Sequence, residues 1–169
     1  ILEPASKHYY QPAWTLVGAG EFDITKTERN MADCIPKNVT WLQAAVTTFE
    51  PERNLVNTDI LGEINYQYLI VACGLKIDWQ AIKGLSETLG KNGVTSNYRF
   101  DLAPYTWQLV QNLKTGTAIF TQPPMPIKCA GAPQKAMYLS CSHWEQQTVL
   151  ANIKVEFNLA GGVLFGVKE

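Results

Sequence analysis

The sequence has no long hydrophobic run, no excess of charge of one sign and only two histidines, and each lack removes a class of function. Its longest apolar stretches, such as Tyr68 to Gly74, are of strand length, far short of the about eighteen consecutive apolar residues that a membrane-spanning helix needs. Lys and Arg number 14 against 15 Asp and Glu, for a formal net charge of -1, and they are scattered. No basic stripe is present to neutralise the phosphates of a nucleic acid, so nucleic-acid binding is excluded as an expectation. The four cysteines, Cys34, Cys73, Cys129 and Cys141, form no Cys-x-x-Cys pair, which argues against a zinc knuckle and a thioredoxin-like site alike, and they are too sparse for a disulfide scaffold. No metal site is expected. The opening Ile1-Leu2-Glu3-Pro4 has neither a secretory nor a mitochondrial presequence pattern, so any targeting signal is expected outside this chain. Asn38-Val39-Thr40 fits a glycosylation sequon, a three-residue match common by chance.

What is present is a soluble, globular composition, 46% hydrophobic over 169 residues, enough for one or two domains with a real core. Ile1-Leu2-Glu3 has the look of the end of a buried strand, two bulky apolar residues closing on a carboxylate before the breaker Pro4. From Val39 the pattern is β-rich: Val39 to Leu42, Ala45 to Phe49, a polar turn at Glu50 to Asn54, Leu55 to Thr58, and Ile64 to Val71. This predicts an antiparallel meander whose last run, Tyr68 to Ala72, lacks polar alternation and is expected to be a strand covered on both faces, ended by Gly74. Leu75 to Arg99 is a connecting region with a short helix near Asp78 to Ile82. Asp101 to Lys114 is a helix capped by Asp101, with Tyr105, Leu109 and Leu113 on its apolar face and Gly116 as its stop. A strand at Ala118 to Thr121, a proline-rich loop at Gln122 to Pro126, a helix from Pro133 to about Gln147 and a strand at Ile153 to Phe157 complete a βαβ unit.

Three positions suggest chemistry. Glu3 ends an apolar strand, the place where a dinucleotide-binding βαβ unit sets the carboxylate that accepts from the ribose hydroxyls, about twenty residues after its glycine-rich turn. On its own it is more simply a strand-end acid. Gln11 follows His8-Tyr9-Tyr10 in a loop, where its amide could meet a cofactor's polar edge or satisfy loop backbone. His8 and His143 fit surface or packing positions better than acid-base roles. Cys129 is the most informative position. It stands in Pro126-Ile127-Lys128-Cys129-Ala130-Gly131-Ala132-Pro133-Gln134, where Pro133 suits the first turn of the following helix. A thiol ahead of a helix and beside a lysine is favoured as thiolate, and the small residues after it leave room for a flat cofactor or a second sulfur. The alternative is a small buried hydrophobe. Cys141 shares a helical face with Met137 and Trp144 and belongs to the core. Twelve residues of helix at about 1.5 Å each put it beyond disulfide reach of Cys129. Cys73 and Cys34 are expected to be structural or incidental.

Several stretches together resemble one family. His8-Tyr9-Tyr10-Gln11-Pro12-Ala13-Trp14-Thr15-Leu16-Val17-Gly18-Ala19-Gly20 and Lys128-Cys129-Ala130-Gly131-Ala132-Pro133-Gln134-Lys135 resemble sulfide:quinone oxidoreductases of the mitochondrial type. So do Tyr68-Leu69-Ile70-Val71-Ala72-Cys73-Gly74 and the closing Gly161-Gly162-Val163-Leu164-Phe165-Gly166-Val167-Lys168, in the same order along the chain. The resemblance implies an α/β fold, part of a flavoprotein with two dinucleotide-binding, Rossmann-like domains and an antiparallel β-meander. Residues 1–99 would be a partial FAD-binding domain with the meander and connecting region, and residues 100–169 the first part of the second dinucleotide-like domain. It implies FAD as cofactor, with Glu3 on its ribose, Gln11 on the flavin nucleotide and Val46 giving backbone contacts to its adenine. Cys129 would be the redox cysteine beside the flavin ring, taking sulfur from hydrogen sulfide as a persulfide while two electrons pass through FAD to quinone, with a thiol as the sulfur acceptor.

The resemblance also implies a peripheral place on the mitochondrial inner membrane, with membrane contact only through a carboxy-terminal region outside this chain. The glycine-rich FAD turn and the second redox cysteine are likewise expected outside it, so the chain alone is expected to be inactive. Two other expectations compete: a pyridine nucleotide-disulfide or NADH dehydrogenase-type flavoenzyme of the same architecture, for which no glycine-rich NADH turn is evident between Ala118 and Gln134, and an inactive truncated domain that binds only a protein partner.

Overall fold

The computed structural model describes residues 1–164. In chain order its strands and α-helices are β1 (Lys7–Tyr9), α1 (Trp14–Val17), β2 (Glu28–Asn30), α2 (Met31–Cys34), β3 (Val46–Glu50), β4 (Leu55–Thr58), β5 (Glu63–Asn65), α3 (Leu85–Thr88), α4 (Ala103–Asn112), β6 (Gly116–Gln122), α5 (Gly131–Gln146) and β7 (Ile153–Leu159). Backbone contacts divide the chain into two compact units. One holds Ile1–Tyr9 and Glu28–Lys76; the other holds Tyr10–Thr27 and the described residues from Ile77 on.

In the first unit the expected meander is present as the antiparallel sheet β3-β4-β5. Val, Thr and Phe side chains suit a pleated, half-buried surface, and Leu55 and Val56 of β4 supply its buried apolar residues. The Glu50–Asn54 turn is closed by an Arg53–Glu50 ion pair of 2.7 Å and by Asn54 in the left-handed region at φ +50, which asparagine tolerates. Asn57 donates to both Thr48 Oγ1 (2.8 Å) and Glu50 Oε1 (2.7 Å), tying β4 to β3 beyond the backbone ladder. A second antiparallel pair, β1 with β2, joins Lys7 to Asn30 and Tyr9 to Glu28 in register. His8 and Tyr9 therefore lie in a short strand and not in the expected loop.

The apolar run after the meander behaves differently from expectation. Tyr68 is 92% and Ile70 91% exposed, and residues 66–74 carry no strand. Hydrophobic composition alone does not make a strand; the backbone needs a neighbour to pair with. Among the described residues none pairs with this segment as a strand. Of Val39 to Leu42 only Leu42 takes part in β structure, through an isolated parallel bridge to Leu2.

The second unit carries the βαβ element. β6 and β7 pair in parallel from Gly116↔Ile153 to Gln122↔Leu159, with α5 between them in sequence. Its core is Val110, Trp144 and Ile153, ringed by Trp107, Leu113, Ala118, Phe120, Cys141, Val149, Leu150 and Val155. Trp144 is 1% exposed, a burial that contributes about 2–3 kcal/mol, and its indole N–H donates to the Val110 carbonyl (2.8 Å), so no polar atom of the ring is left unmet. Cys141 packs against this cluster, as its helical spacing with Trp144 predicted.

α4 forms where expected, but its buried residues are Ala103, Thr106 and Val110, while of the predicted Tyr105–Leu109–Leu113 face Leu113 packs against the core. The reason is polar. Thr106 Oγ1 lies 2.8 Å from Thr95 Oγ1, so two hydroxyls satisfy each other on a surface that hydrophobicity would assign to leucine. Asp101 does not cap the helix; it pairs with Arg99 instead. Near Asp78 to Ile82 a single 3-10 turn, Trp79–Ala81, is capped by the Asp78 carboxylate. A smaller cluster, Trp14, Val17 and Ala103 with Ile24 and Phe100, fastens α1 to α4. There the Trp14 indole donates to Thr27 Oγ1 (3.1 Å).

Candidate functional site

The loop from Gln122 to α5 carries Cys129. The parallel strand β6 ends at Gln122, and the chain turns into a 16-residue helix at Gly131, with Pro133 in its first turn as expected. Cys129 is exposed and its backbone is left-handed, at φ +57. That conformation costs an L-residue about 1–2 kcal/mol, because Cβ crowds the following carbonyl. It persists because both neighbouring peptides are held. The Cys129 carbonyl accepts from the Ala132 N–H (3.0 Å), and the Lys128 carbonyl accepts from the Tyr98 hydroxyl. The Lys128 side chain is held as well: its ammonium donates to the amide oxygen of Gln11, which opens the turn before α1.

Two of the expected site residues are thus drawn to one place, although 117 positions separate Gln11 from Lys128. Gln11 acts on the cysteine loop through the side chain next to Cys129. The Lys128 charge is directed at a neutral amide. Tyr98 is half-buried, and burial pushes its phenol above the usual tyrosine range, with a smaller contribution from the neighbouring Cys129. The arrangement presents an exposed sulfur ahead of a helix N-terminus, on a backbone over-determined by two hydrogen bonds. Such a sulfur can attack or be attacked, the requirement for thiol-disulfide chemistry.

The other cysteines differ in kind. Cys141 is partly buried in the core and its thiol is raised, first by burial and then by Glu145, which suits a structural group. Cys73 is exposed beside Gly74, and Cys34 ends α2 half-buried; all four thiols are free.

Glu3 and Val46 lie in the first unit. The Glu3 N–H donates to the Leu42 carbonyl (3.2 Å), and its own carbonyl accepts from the Trp41 indole (2.8 Å). The segment ending in Glu3 is therefore laid alongside 41–43, which leads directly into Val46 at the start of β3. The Glu3 carboxylate accepts the Ala5 N–H (2.8 Å), an interaction that turns the chain at Pro4. Val46 pairs with Thr58 at an irregular step of the sheet.

Tyr98 was not expected, since it lies in a stretch without periodicity; a phenol beside Ser96 and Asn97 offered no local signal. Nor could spacing show what the glycines of the first long motif lie against. A Cβ on Gly18 would come within 2.4 Å of the Asn97 amide, and one on Gly20 within 2.4 Å of the Trp107 ring. The Asn97 Oδ1 at this close approach is buried without a hydrogen-bond partner. Of the closing Gly161–Lys168 motif, residues after Leu164 lie outside the described residues; the Leu164 carbonyl accepts from the buried Gln134 amide (3.0 Å). Among the described residues no group of three His, Cys, Asp or Glu side chains could hold a metal ion, and no helix is long and apolar enough to cross a membrane.

Comparison with known proteins agrees with the motifs. The whole chain is 46% identical to a section of mitochondrial sulfide:quinone oxidoreductase from Dictyostelium discoideum, 43% identical to that from Mus musculus and 39% identical to that from Schizosaccharomyces pombe. It spans about 38% of the length of each of these relatives. No protein-family model matches. Among solved structures, the sulfide:quinone oxidoreductase of the bacterium Aquifex aeolicus superposes with a TM-score of 0.73 at 20% identity, over 94% of this chain and 36% of that one. A chain of the Tetrahymena thermophila mitochondrial ATP synthase superposes with a TM-score of 0.75 at 17% identity, over 96% of this chain and 41% of that one. At such identities the two structures show a shared fold.

Proposed function

We propose that this chain, a relative of the mitochondrial sulfide:quinone oxidoreductases along its whole length, supplies the redox cysteine and part of the flavin site of such an enzyme, with Cys129 as one of its two reacting sulfurs. The carrying observation is the presentation of Cys129: exposed, left-handed and pinned ahead of α5, inside one of the long motifs that resemble that family. A buried structural thiol has no use for a backbone held in a costly conformation.

In the proposed cycle hydrosulfide attacks a disulfide between Cys129 and a second cysteine; the S–S bond breaks, one sulfur becomes a persulfide and the other leaves as thiolate. A thiol acceptor takes the outer sulfur, leaving two thiolates, whose return to the disulfide releases two electrons. The net change converts hydrogen sulfide, a thiol and a quinone into a persulfide and a quinol. FAD, when bound, supplies the two-electron acceptor between the thiolates and the quinone. Cys141, partly buried against the core, is not the second sulfur.

Three residues support that cofactor in this reading. Glu3 ends a segment laid parallel to the 41–43 stretch, and its acceptor-only carboxylate suits two ribose hydroxyl donors. Val46, at the irregular step of β3, offers backbone groups for the adenine, and Gln11 stands next to the cysteine loop. In this reading residues 1–99 belong to the first dinucleotide-like domain with its meander, and residues 100–169, with the β6–α5–β7 unit, begin the second. The names of the relatives support mitochondrial residence. The test is Cys129→Ser in the full-length protein that carries this chain. Flavin content should be unchanged and sulfide-dependent quinone reduction lost; near-normal turnover would overturn the assignment.

A further inference from the structure

Tyr98 takes no chemical step in the proposed cycle, yet its hydroxyl ends on the backbone of the cysteine loop. The carbonyl it holds belongs to the peptide joining Lys128 to Cys129, the plane that sets the φ of Cys129. With that plane held by Tyr98, and the following one held by the Ala132 N–H at 3.0 Å, the +57° rotation at Cys129 is confined between two anchored peptides. Lys128 cannot carry the loop away either, because its ammonium is engaged by Gln11. Remove the phenol oxygen and the first plane is released, so Cys129 can rotate toward an ordinary backbone conformation and carry its sulfur with it.

We propose that Tyr98 is a positioning residue for Cys129: its O–H, by holding the Lys128 carbonyl, keeps the cysteine backbone left-handed and the sulfur presented ahead of α5. The inference rests on Cys129 being the redox cysteine and adds the residue that aims it. Tyr98 touches neither substrate nor cofactor in this role.

Tyr98→Phe keeps the half-buried ring and removes only the hydroxyl. In the full-length flavin-loaded protein, four quantities are measured beside wild type and Cys129→Ser: flavin content, melting temperature, kcat and KM for sulfide, and the rate at which iodoacetamide labels Cys129 in the reduced protein, with Cys73 labelling in the same sample as the internal standard. Tyr98→Phe is expected to keep its flavin and melting temperature, to lose about tenfold in kcat at unchanged KM, and to label severalfold more slowly at Cys129 but not at Cys73. Wild-type labelling at Cys129 overturns the inference, whatever happens to stability. If Cys129→Ser turns over normally, the redox-cysteine reading fails, and slowed labelling in Tyr98→Phe still decides whether Tyr98 aims the sulfur.

Discussion

Replacing Gly20 with alanine separates two costs that the structure places at one residue. Gly20 is left-handed, at φ +79, and an added Cβ would stand 2.4 Å from Cε2 and Cζ2 of Trp107. The ring cannot move aside cheaply: it sits edge-on to His143, with centroids 4.7 Å apart, and packs on the cluster around Trp144. The backbone term is about 1–2 kcal/mol. Overpacking against a fixed ring adds about 1–3 kcal/mol, for a sum of about 2–5 kcal/mol, a large part of the stability of an ordinary domain. Two neighbours calibrate it. Gly18 is helical, at φ -63, so alanine there carries no backbone term, and the atoms nearest its Cβ all belong to the one side chain of Asn97, so Gly18→Ala should cost clearly less than Gly20→Ala. Gly74, at φ +73 with nothing within 4 Å, carries the backbone term alone. Urea unfolding followed by tryptophan fluorescence reads all three. With a urea dependence of about 1–3 kcal/mol per molar, Gly20→Ala should lower the midpoint by about 1–2 M and the others far less. Equal midpoints for Gly20→Ala and Gly18→Ala would refute the reasoning.

Two further outcomes are expected. Glu50 is held ionised by Arg53 first and Asn57 second, so its folded pKa lies below the ordinary value for glutamate of about 4.3. Its contribution is present above that value and is lost as pH falls through the depressed folded pKa. The melting-temperature gap between wild type and Glu50→Gln should therefore close on acidification, and a gap that widens toward low pH contradicts the assignment. In the full-length protein Glu3→Ala should release flavin more readily than Glu52→Ala, whose side chain is exposed on the Glu50–Asn54 turn; equal flavin dissociation constants for the two variants would remove Glu3 from the ribose site.

Local patterning carried much of this protein. The β3-β4-β5 meander, the parallel β6–α5–β7 unit and the placement of Trp144 and Cys141 on the core side of α5 follow from alternation, turn residues and helical spacing, because each is settled by neighbours within a few positions. The motifs around Gln11 and Cys129 were legible for the same reason, as was the likeness to the sulfide:quinone oxidoreductases. Other features needed the folded chain. The exposed Tyr68–Gly74 run has strand composition but no pairing partner among the described residues, and pairing is a non-local condition. The inward face of α4 is set by Thr95 meeting Thr106, a match between two hydroxyls that periodicity counts as polar on both sides. The anchoring of Cys129 depends on Tyr98 and Gln11, which come from distant parts of the sequence and act through a backbone carbonyl and a neighbouring side chain. Sequence alone singles out Cys129 as the candidate; only the fold brings up the groups that hold its backbone, because a hydrogen bond to a main-chain carbonyl leaves no mark on the identity of the residue that receives it.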